Sequence, residues 1–423
     1  MAVVQIVKGL HEALGADVHD VWLTGFGSAN IPFNPFPATA GRLDVRFRRG
    51  MRGEEGWQTL MMTSFESPNW RRRSAPRWPS SSNPKALIMS IEAIGKALPA
   101  KIQTAEDVAE ATGADPAFVR GKVGLGQRHV LSPGETGLDL GEAAVRNLLE
   151  KSALEADQID LLIYVTQTPD RRILHNAAPL AHRLGLSRGL ASFDLALGCS
   201  GFVHALSVAE SFLAGHGMSN AVIVTCDPYS RIMDSGDKAT NVVFGDAAAA
   251  TWIRRDGPTT RTLSIDFGTD GGGADAIRID AGGAALPLVS LDTPEGIEAY
   301  EPVALRLHME GRDVFNFVNA TIPGSIKASL NKAGLTVDDI DAFALHQGSA
   351  YMVDALARRA GLPKDKLLMN IADYGNTVSS TVPLLLEPLL DAPAPETRRV
   401  LISGFGVGLS WATAVLELSP PEN

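Results

Sequence analysis

The stretch Phe193-Asp194-Leu195-Ala196-Leu197-Gly198-Cys199-Ser200-Gly201-Phe202 decides how this chain folds. Its alternating apolar residues predict a strand that ends at Gly198 and Cys199, and the apolar spacing that follows predicts a buried helix. Cys199 is therefore predicted at a strand-to-helix turn. The positive end of a helix dipole favours thiolate, so we expect a lowered pKa and a nucleophilic sulfur there. The alternative is a small buried residue packed under the helix, as free cysteines commonly are.

Two further polar side chains are predicted at the ends of structural elements. His346 follows the short apolar strand 342–345, and Asn376 follows Gly375 at the start of a helical stretch, 378–390. A histidine or asparagine at such a place usually caps a helix or lies in a loop. Beside a candidate nucleophile, however, these residue types indicate a catalytic group.

An internal repeat indicates that the chain is duplicated. Residues 154–160, Leu-Glu-Ala-Asp-Gln-Ile-Asp, match residues 335–341, Leu-Thr-Val-Asp-Asp-Ile-Asp, and each segment precedes an apolar strand. Gly198-Cys199 before a helix likewise matches Gly375-Asn376 before a helix. A repeat of this length predicts two related α/β halves, 85–257 and 258–423, rather than a solenoid. Cys199 and Asn376 are then expected to face each other from equivalent positions.

From around Lys85 to its C-terminus the chain resembles the thiolase-fold condensing enzymes, and among them the β-ketoacyl-carrier-protein synthase III group. The matching motifs are Gly-Cys-Ser-Gly-Phe at 198–202, Phe-Gly-Asp-Ala-Ala-Ala-Ala at 244–250, His-Gln at 346–347, Gly-Asn-Thr at 375–377 and Phe-Gly-Val-Gly-Leu-Ser-Trp at 405–411. The resemblance implies an α/β, five-layered αβαβα fold of two duplicated halves, a homodimer and a Cys199-His346-Asn376 site. Papain-like hydrolases use the same residue types, but their local cysteine motif is absent here.

The resemblance also implies a reaction. An acyl thioester primer would condense with a malonyl thioester, such as malonyl-acyl carrier protein (malonyl-ACP), with loss of carbon dioxide, to give a 3-oxoacyl thioester. An acyl-Cys199 intermediate divides this condensation into two displacement steps. His346 and Asn376 are expected to donate hydrogen bonds to the malonyl carbonyl oxygen and stabilise the enolate. Asparagine at 376 favours decarboxylation over thiolase-type condensation.

Two other functions stay open from the sequence. One is an acyltransferase of the same fold that passes the acyl group from Cys199 to an alcohol or amine without chain extension. The other is a non-catalytic partner subunit of a larger synthase, although the chain retains all three catalytic residue types.

Substrate-binding positions follow from the same resemblance. Backbone N–H groups of Cys199 and of the Gly406-Val407 loop are expected to form an oxyanion hole, although the family usually has glycine at 407. Coenzyme A or phosphopantetheine thioesters are expected as substrates, with no permanently bound cofactor. Their binding is expected at aromatic, basic and polar residues: Phe118, Lys122, Lys238 and Ser349. Asn316 and Tyr351 stand where the family often has basic residues on its carrier-protein face, so docking of the acyl carrier protein is expected to differ.

The segment 166–174 resembles one that projects into the acyl pocket of the partner subunit, with Ile173 as the lining residue. Arg171 and Arg172 beside it would be able to bind a carboxylated acyl group. An arginine pair on a loop is more commonly an interface or surface feature. The long segment 280–308 is interpreted as a loop that shapes the substrate entrance.

Composition excludes several classes of function. A chain of 423 residues with 45% hydrophobic content is able to bury a large core. A net charge of −10 argues against nucleic-acid binding, and no apolar run is long enough to span a membrane. Only two cysteines, Cys199 and Cys226, predict a reducing cytoplasm with neither disulfides nor a cysteine metal site.

Residues 1–84 are predicted to lie outside this fold. They contain four of the six tryptophans and a Pro-, Ser- and Arg-rich stretch at 68–84. Because they lack the apolar core of a signal peptide, we interpret them as a poorly ordered extension or as the product of a misassigned start, in preference to an additional binding domain.

Overall fold

The computed structural model describes residues 18–24, 43–49, 57–62, 89–287, 302–392 and 398–418. Contacts divide the chain into two compact units, Met1–Pro84 and Lys85–Asn423. In the first unit three strands form an antiparallel sheet in chain order: β1 (Val18–Thr24), β2 (Leu43–Arg49) and β3 (Trp57–Met62). Composition did not indicate this sheet. The prediction of a poorly ordered extension otherwise falls on residues outside the described ranges.

The second unit is built on two large sheets and two short strand pairs, β5-β6 and β12-β13. Its strands are β4 (Met89–Ala97), β5 (Lys101–Thr104), β6 (Gln127–Val130), β7 (Leu161–Val165), β8 (Ala191–Leu195), β9 (Asn220–Cys226), β10 (Ala248–Arg255), β11 (Thr260–Thr269), β12 (Ile277–Arg278), β13 (His308–Met309), β14 (Ala342–Leu345), β15 (Arg399–Gly406) and β16 (Ser410–Leu418). The principal helices are α1 (Ala105–Thr112), α2 (Gly137–Lys151), α3 (Ala177–Arg183), α4 (Gly201–His216), α5 (Gly311–Ala333), α6 (Ala350–Ala360) and α7 (Thr381–Asp391).

The two sheets repeat one strand order. The first sheet is β4-β10-β9-β7-β8 and the second is β11-β16-β15-β14. In the first, β7 runs parallel to β9, and β10 pairs antiparallel with both β9 and β4. In the second, β14 runs parallel to β15, and β16 pairs antiparallel with both β15 and β11. The second sheet retains only a bridge between Phe343 and Leu367 where the first has β8.

Alternating side chains on the strands create the layers. On β7, Leu161 and Ile163 pack toward the centre of the unit, whereas Leu162 and Tyr164 pack against α2 and α3 on the outside. On β15, Ile402 packs toward the centre and neighbouring residues face the outer helices α5 and α6. Helices α4 and α7 lie between the sheets. The order is therefore helix, sheet, helix, sheet, helix, which confirms the predicted five-layered fold.

The repeated segments make the same local structure. Each forms one turn of 3₁₀ helix before its strand, at Ala156–Gln158 and Val337–Asp339. The Asp160 carboxylate accepts hydrogen bonds from the N–H groups of residues 219 and 220, at 2.8 and 3.1 Å. The Asp341 carboxylate accepts from those of residues 398 and 399, both at 2.9 Å. These paired carboxylates fix the starts of β9 and β15, so equivalent aspartates perform the same task in the two halves.

In each half, a turn or segment at the end of a parallel strand leads into one of the two central helices. The turn 196–200 connects β8 to α4, and the segment after Leu367 leads through Gly375 to a 3₁₀ turn, Val378–Ser380, and α7. Because carboxyl ends of parallel strands share one edge of a sheet, the side chains at these junctions gather at one place. None of the helices in the described residues is long and apolar enough to cross a bilayer.

Candidate active site

A cavity of 380 Å³ lies where the junctions of the two halves meet. Cys199 from the first half and His346 and Asn376 from the second line it together. Its remaining wall is largely apolar and includes Val123, Tyr229, Val242, Phe244, Ile277, Met309, Val314, Phe315, Val318, Met352 and Phe405. The three residue types predicted to react thus line one cavity.

Cys199 lies under the β15 strand, 6% exposed. A Cβ atom on Gly406 would come within 3.0 Å of its Sγ, so glycine at 406 makes room for the sulfur. The predicted position before α4 is correct, but the predicted fall in pKa is wrong. Burial raises the pKa of Cys199 to about 12, and the nearby Asp227 carboxylate adds to that rise. The dipole argument considered only the local helix, whereas loss of solvent around the sulfur dominates.

Two backbone N–H groups oppose this rise, because those of Cys199 and Val407 hydrogen-bond to the sulfur and favour thiolate. The Val407 loop is fixed by its carbonyl, which accepts a hydrogen bond from the Ser410 hydroxyl at 2.8 Å. The Ser200 hydroxyl lies 2.7 Å from that of Ser410. These hydrogen bonds therefore link the Val407 loop to the turn 196–200, which carries Cys199 and is called the nucleophile turn below. Valine at 407 therefore leaves an amide directed at the sulfur, as a glycine would.

His346 follows β14, and its backbone N–H donates to the Ser403 carbonyl at 2.8 Å. The ring packs edge-on against Phe405, with 5.5 Å between centroids. Its Nδ1 is buried with no hydrogen-bond partner among the described residues. Burial lowers the pKa of His346 to about 3, so the imidazole is neutral near neutral pH. It is therefore suited to donate a hydrogen bond rather than to carry charge.

Asn376 is oriented by its neighbours. Gly375 adopts φ 69° and ψ −164°, a conformation that residues with a side chain rarely adopt. The Asn376 N–H then donates to the Val243 carbonyl at 3.0 Å, and its Oδ1 accepts from the Val378 N–H at 2.9 Å. Since that bond occupies the amide oxygen, the Nδ2 group is left to donate. No acceptor contacts Nδ2 in the part of the chain that the structure describes.

The cavity entrance carries the residues predicted to bind the thioester arm. Phe118, Lys122, Lys238 and Ser349 all line it. The Lys122 ammonium lies 4.7 Å from the centre of the Tyr351 ring, which stacks on Phe315 with 5.5 Å between centroids. The Ser349 hydroxyl accepts a hydrogen bond from the Met352 N–H at 3.1 Å and caps α6. Ser349 therefore has a structural role at the entrance, and its contact with substrate stays a prediction.

Other predicted site residues lie away from the cavity. Arg171, Arg172 and Ile173 are exposed, and Ile173 is 90% exposed. Asn316 lies with Arg358 and Arg359 in a separate shallow depression. Of the predicted entrance loop, residues 288–301 lie outside the described ranges. β12, which precedes the loop, pairs with β13, where the loop ends, and both contribute residues to the cavity wall.

Sequence reasoning missed the supporting role of three buried polar residues. Gln347 donates to the Leu368 carbonyl at 2.9 Å and accepts from the Asn370 N–H at 3.1 Å, which fixes the turn after His346. Arg128 donates to the Phe244 carbonyl at 2.7 Å. Asp227 lies beneath the nucleophile turn. Each of the three residues binds partners that are distant in sequence, so local patterns do not reveal its role. Only Gln347 belongs to a motif that the sequence shows, the His-Gln pair at 346–347. Across the described residues, no cluster of His, Cys, Asp and Glu forms a metal site.

A duplicated five-layered unit with a cysteine, a histidine and an asparagine around one cavity defines a condensing enzyme of the thiolase-like class. The family profiles described as 3-oxoacyl-[acyl-carrier-protein (ACP)] synthase III and its C-terminal part match residues 193–271 and 330–418. A β-ketoacyl-[acyl-carrier-protein] synthase III from Streptococcus suis is 33% identical over 334 residues, which are 78% of this chain and 98% of that protein. The chain belongs to the β-ketoacyl-[acyl-carrier-protein] synthase III family.

Solved structures agree with this assignment. A 3-oxoacyl-(acyl-carrier protein) synthase from Burkholderia xenovorans superposes with a TM-score of 0.71 at 30% identity, covering 79% of this chain and 95% of that one. The priming β-ketosynthase of the R1128 polyketide pathway gives a TM-score of 0.71 at 28% identity, covering 81% of this chain and 100% of that one. The fold is therefore shared by a 3-oxoacyl-(acyl-carrier protein) synthase and a polyketide-priming ketosynthase.

Proposed function

We propose that this protein condenses an acyl thioester primer with a malonyl thioester, releasing carbon dioxide and a free thiol and forming a 3-oxoacyl thioester. One observation carries the proposal: a single cavity joins the Cys199 sulfur of one half to the imidazole of His346 and the amide of Asn376 from the other. Family membership supports the reaction type, and the geometry supports the division of labour.

The first half-reaction transfers the acyl group to Cys199. The sulfur forms a bond to the primer carbonyl, the bond to the primer's own sulfur breaks, and the Cys199 proton ends on the released thiol. Since burial raises the pKa of Cys199 to about 12, the resting enzyme holds a neutral thiol. We assign stabilisation of the tetrahedral oxyanion to the N–H groups of Cys199 and Val407, which hydrogen-bond to the sulfur in the resting enzyme. One such donor is typically worth about 3 kcal/mol.

The second half-reaction consumes the acyl-enzyme. The carbon–carbon bond to the malonyl carboxylate breaks, carbon dioxide leaves, and the electron pair forms an enolate. His346 and the Asn376 Nδ2 group donate to the enolate oxygen, and a neutral imidazole supplies that bond without a proton transfer. The enolate carbon attacks the acyl carbonyl, the bond to the Cys199 sulfur breaks, and the sulfur leaves as a thiolate that takes up one proton from solution. The apolar wall excludes water that would hydrolyse the acyl-enzyme.

The entrance suits a long thioester arm. Phe118 is 47% exposed at the mouth, where an aromatic face is available for a nucleotide base or pantetheine. Lys122 and Lys238 supply positive charge for phosphate. We therefore propose coenzyme A for the primer and an acyl carrier protein for the malonyl group. The exposure of Ile173 supports a homodimer in which this side chain is covered by a second copy.

Product analysis tests the proposal. The protein is incubated with acetyl-coenzyme A and malonyl-ACP carrying a labelled carboxyl group, and released carbon dioxide and 3-oxoacyl-ACP are measured together. We expect both, in equal amounts and dependent on the primer. Acyl transfer from Cys199 to an added alcohol or amine, with no carbon dioxide released, would instead establish the non-extending acyltransferase.

A further inference from the structure

The Asp227 carboxylate is a buried group that the proposed reaction does not use. It follows β9 and is fully buried. One oxygen accepts hydrogen bonds from the Gln167 N–H at 2.7 Å and from the Thr166 hydroxyl at 3.4 Å. The other accepts from the Ser379 hydroxyl at 2.5 Å. Its partners therefore come from both halves of the unit.

The partner in the first half supports the nucleophile turn. The Gln167 Oε1 accepts a hydrogen bond from the Tyr229 hydroxyl at 2.9 Å. A Cβ atom on Gly198 would lie 2.4 Å from that same oxygen, so the Gln167 side chain packs directly on the backbone before Cys199. Fixing Gln167 therefore fixes one side of the turn that carries the sulfur.

The partner in the second half supports the asparagine. Ser379 lies three residues after Asn376, in the 3₁₀ turn Val378–Ser380. The preceding N–H, that of Val378, is the donor that occupies Asn376 Oδ1. A hydrogen bond that fixes Ser379 therefore also fixes the Val378 N–H. Because that N–H binds Asn376 Oδ1, it leaves the Asn376 Nδ2 group to face the cavity.

We propose that Asp227 is a positioning residue that joins the Cys199 turn to the Asn376 turn and so sets the distance between the acyl-enzyme and the enolate donor. The proposal rests on the proposed condensation. It assigns to one carboxylate the alignment of two half-reactions whose reacting groups lie 177 positions apart in sequence.

The charge of Asp227 has a separate, measurable effect. The titratable groups that face it are the Cys199 thiol, the Tyr229 phenol and the Cys226 thiol of its own strand. No Lys or Arg of the described residues forms an ion pair with it. Burial raises the pKa of Asp227 to about 6, so the carboxylate is ionised above that pH and raises the pKa of Cys199. Removal of this charge must therefore favour thiolate.

Two variants separate the alignment from the charge. Asp227→Asn removes the charge and one of the acceptors, whereas Ser379→Ala removes the hydroxyl that donates to Asp227 from the second half and leaves the carboxylate. Asp160→Asn is the matched control, because Asp160 also accepts two backbone N–H groups but lies at the opposite end of the strands. Two rates are measured: alkylation of Cys199 by iodoacetamide as a function of pH, and carbon dioxide release from labelled malonyl-ACP.

We expect Asp227→Asn to be alkylated about tenfold faster than wild type at about pH 8, since a nearby negative charge no longer opposes thiolate. Its condensation rate should nevertheless fall, by about tenfold or more, because the two turns lose their alignment. Ser379→Ala should show the fall in condensation without the faster alkylation, and Asp160→Asn should show neither. A fold loosened around Cys199 would also expose the thiol and move its alkylation profile toward acid pH, and Ser379→Ala, which keeps the carboxylate, controls for this.

The outcomes distinguish this proposal from the proposed function. If wild type releases no carbon dioxide, the condensation is wrong, and the alkylation profile still reports on the Asp227 charge. If wild type condenses but Ser379→Ala matches Asp160→Asn, the alignment by Asp227 is overturned. The same conclusion follows if Asp227→Asn is folded and both its rates equal those of wild type. Should Asp227→Asn fail to fold, Ser379→Ala decides alone.

Discussion

The two halves of the unit share a scaffold but present different chemistry at the same position. In both, a 3₁₀ turn precedes a parallel strand, and a central helix follows the residue that faces the cavity. In the first half the residue is Cys199, reached directly from β8. In the second half the residue is Asn376, which follows a longer segment. In that segment the counterpart of β8 is only a single bridge between Phe343 and Leu367.

The difference shows that the duplicated fold brings a residue of each half to the cavity, whereas the local contacts of that residue determine what chemistry it can perform. Cys199 is buried under Gly406 with two amides directed at its sulfur. Asn376 has its oxygen occupied by Val378, so that only a donor remains. One junction is thus built for a nucleophile and the other for a hydrogen-bond donor, as a reaction in two steps requires.

The largest expected effect comes from removing the nucleophile of the first half. Cys199→Ala should abolish the acyl-enzyme, because Cys226, the other cysteine, is buried in the outer layer with 1% exposure. Intact-mass measurement after incubation with acetyl-coenzyme A checks this. Cys226→Ala is the matched control and should retain the adduct. A stable adduct on the Cys199→Ala protein would show that the nucleophile lies elsewhere.

A smaller effect is expected from crowding the same junction. Gly406→Ala places a Cβ within 3.0 Å of both Sγ and Cβ of Cys199. The displaced sulfur should be acylated about 10- to 100-fold more slowly, since a misplacement near 1 Å is enough for such a loss. Gly324→Ala, whose Cβ would meet nothing within 4 Å, is the control for acylation rate by rapid quench. Equal rates in the two variants would remove the steric role given to Gly406.

The neutral histidine of the second half predicts an acid-sensitive stability. Burial lowers the pKa of His346 from 6.5 to about 3, so between these pH values the unfolded chain binds a proton that the folded one does not. Stability should therefore fall as pH drops below the unfolded pKa, by up to about 1.4 kcal/mol for each pH unit. Urea unfolding of wild type and His346→Gln over this range isolates the contribution. Parallel pH curves for the two proteins would contradict a buried neutral imidazole.

The smallest expected effect tests whether the two halves are equivalent as scaffolds. Asp160→Asn and Asp341→Asn each replace a carboxylate that accepts hydrogen bonds from two backbone N–H groups with a neutral, weaker acceptor. Each should lower the free energy of unfolding by about 1 kcal/mol. Urea denaturation should give similar losses for both. If only one variant lost much of its free energy of unfolding, the two equivalent aspartates would share a geometry but not a contribution to stability.

Much of the fold was predictable because its signals are local. The apolar run 342–345 has the bounds of β14, and the repeated Leu-x-x-Asp-x-Ile-Asp segments both form 3₁₀ turns before strands. The position of Cys199 between β8 and α4 follows from apolar periodicity alone. In contrast, the three-stranded sheet at 18–62 was missed, because the prediction weighed the composition of the whole segment and not the alternation of apolar and charged residues at 43–49.

The site was predictable in its residue types but not in its electrostatics. Motifs identified Cys199, His346 and Asn376, and the structure places them around one cavity. The pKa of Cys199 was predicted in the wrong direction because burial depends on the whole fold and not on one helix. Asp227 gave no sequence signal, since its partners Gln167 and Ser379 lie 60 and 152 positions away.

One measurement tests the central claim that Asn376 serves the condensation and not the acylation of Cys199. Asn376→Asp replaces the amide donor with a carboxylate where enolate charge develops, and it keeps an oxygen that accepts from the Val378 N–H. Carbon dioxide release from labelled malonyl-ACP should fall about 100- to 1,000-fold, the typical cost of one such donor, and acylation of Cys199 should change by less than about threefold. Asn370→Asp, on the neighbouring turn, is the control and should affect neither rate. Equal losses in both half-reactions of Asn376→Asp, or undiminished carbon dioxide release, would contradict the account.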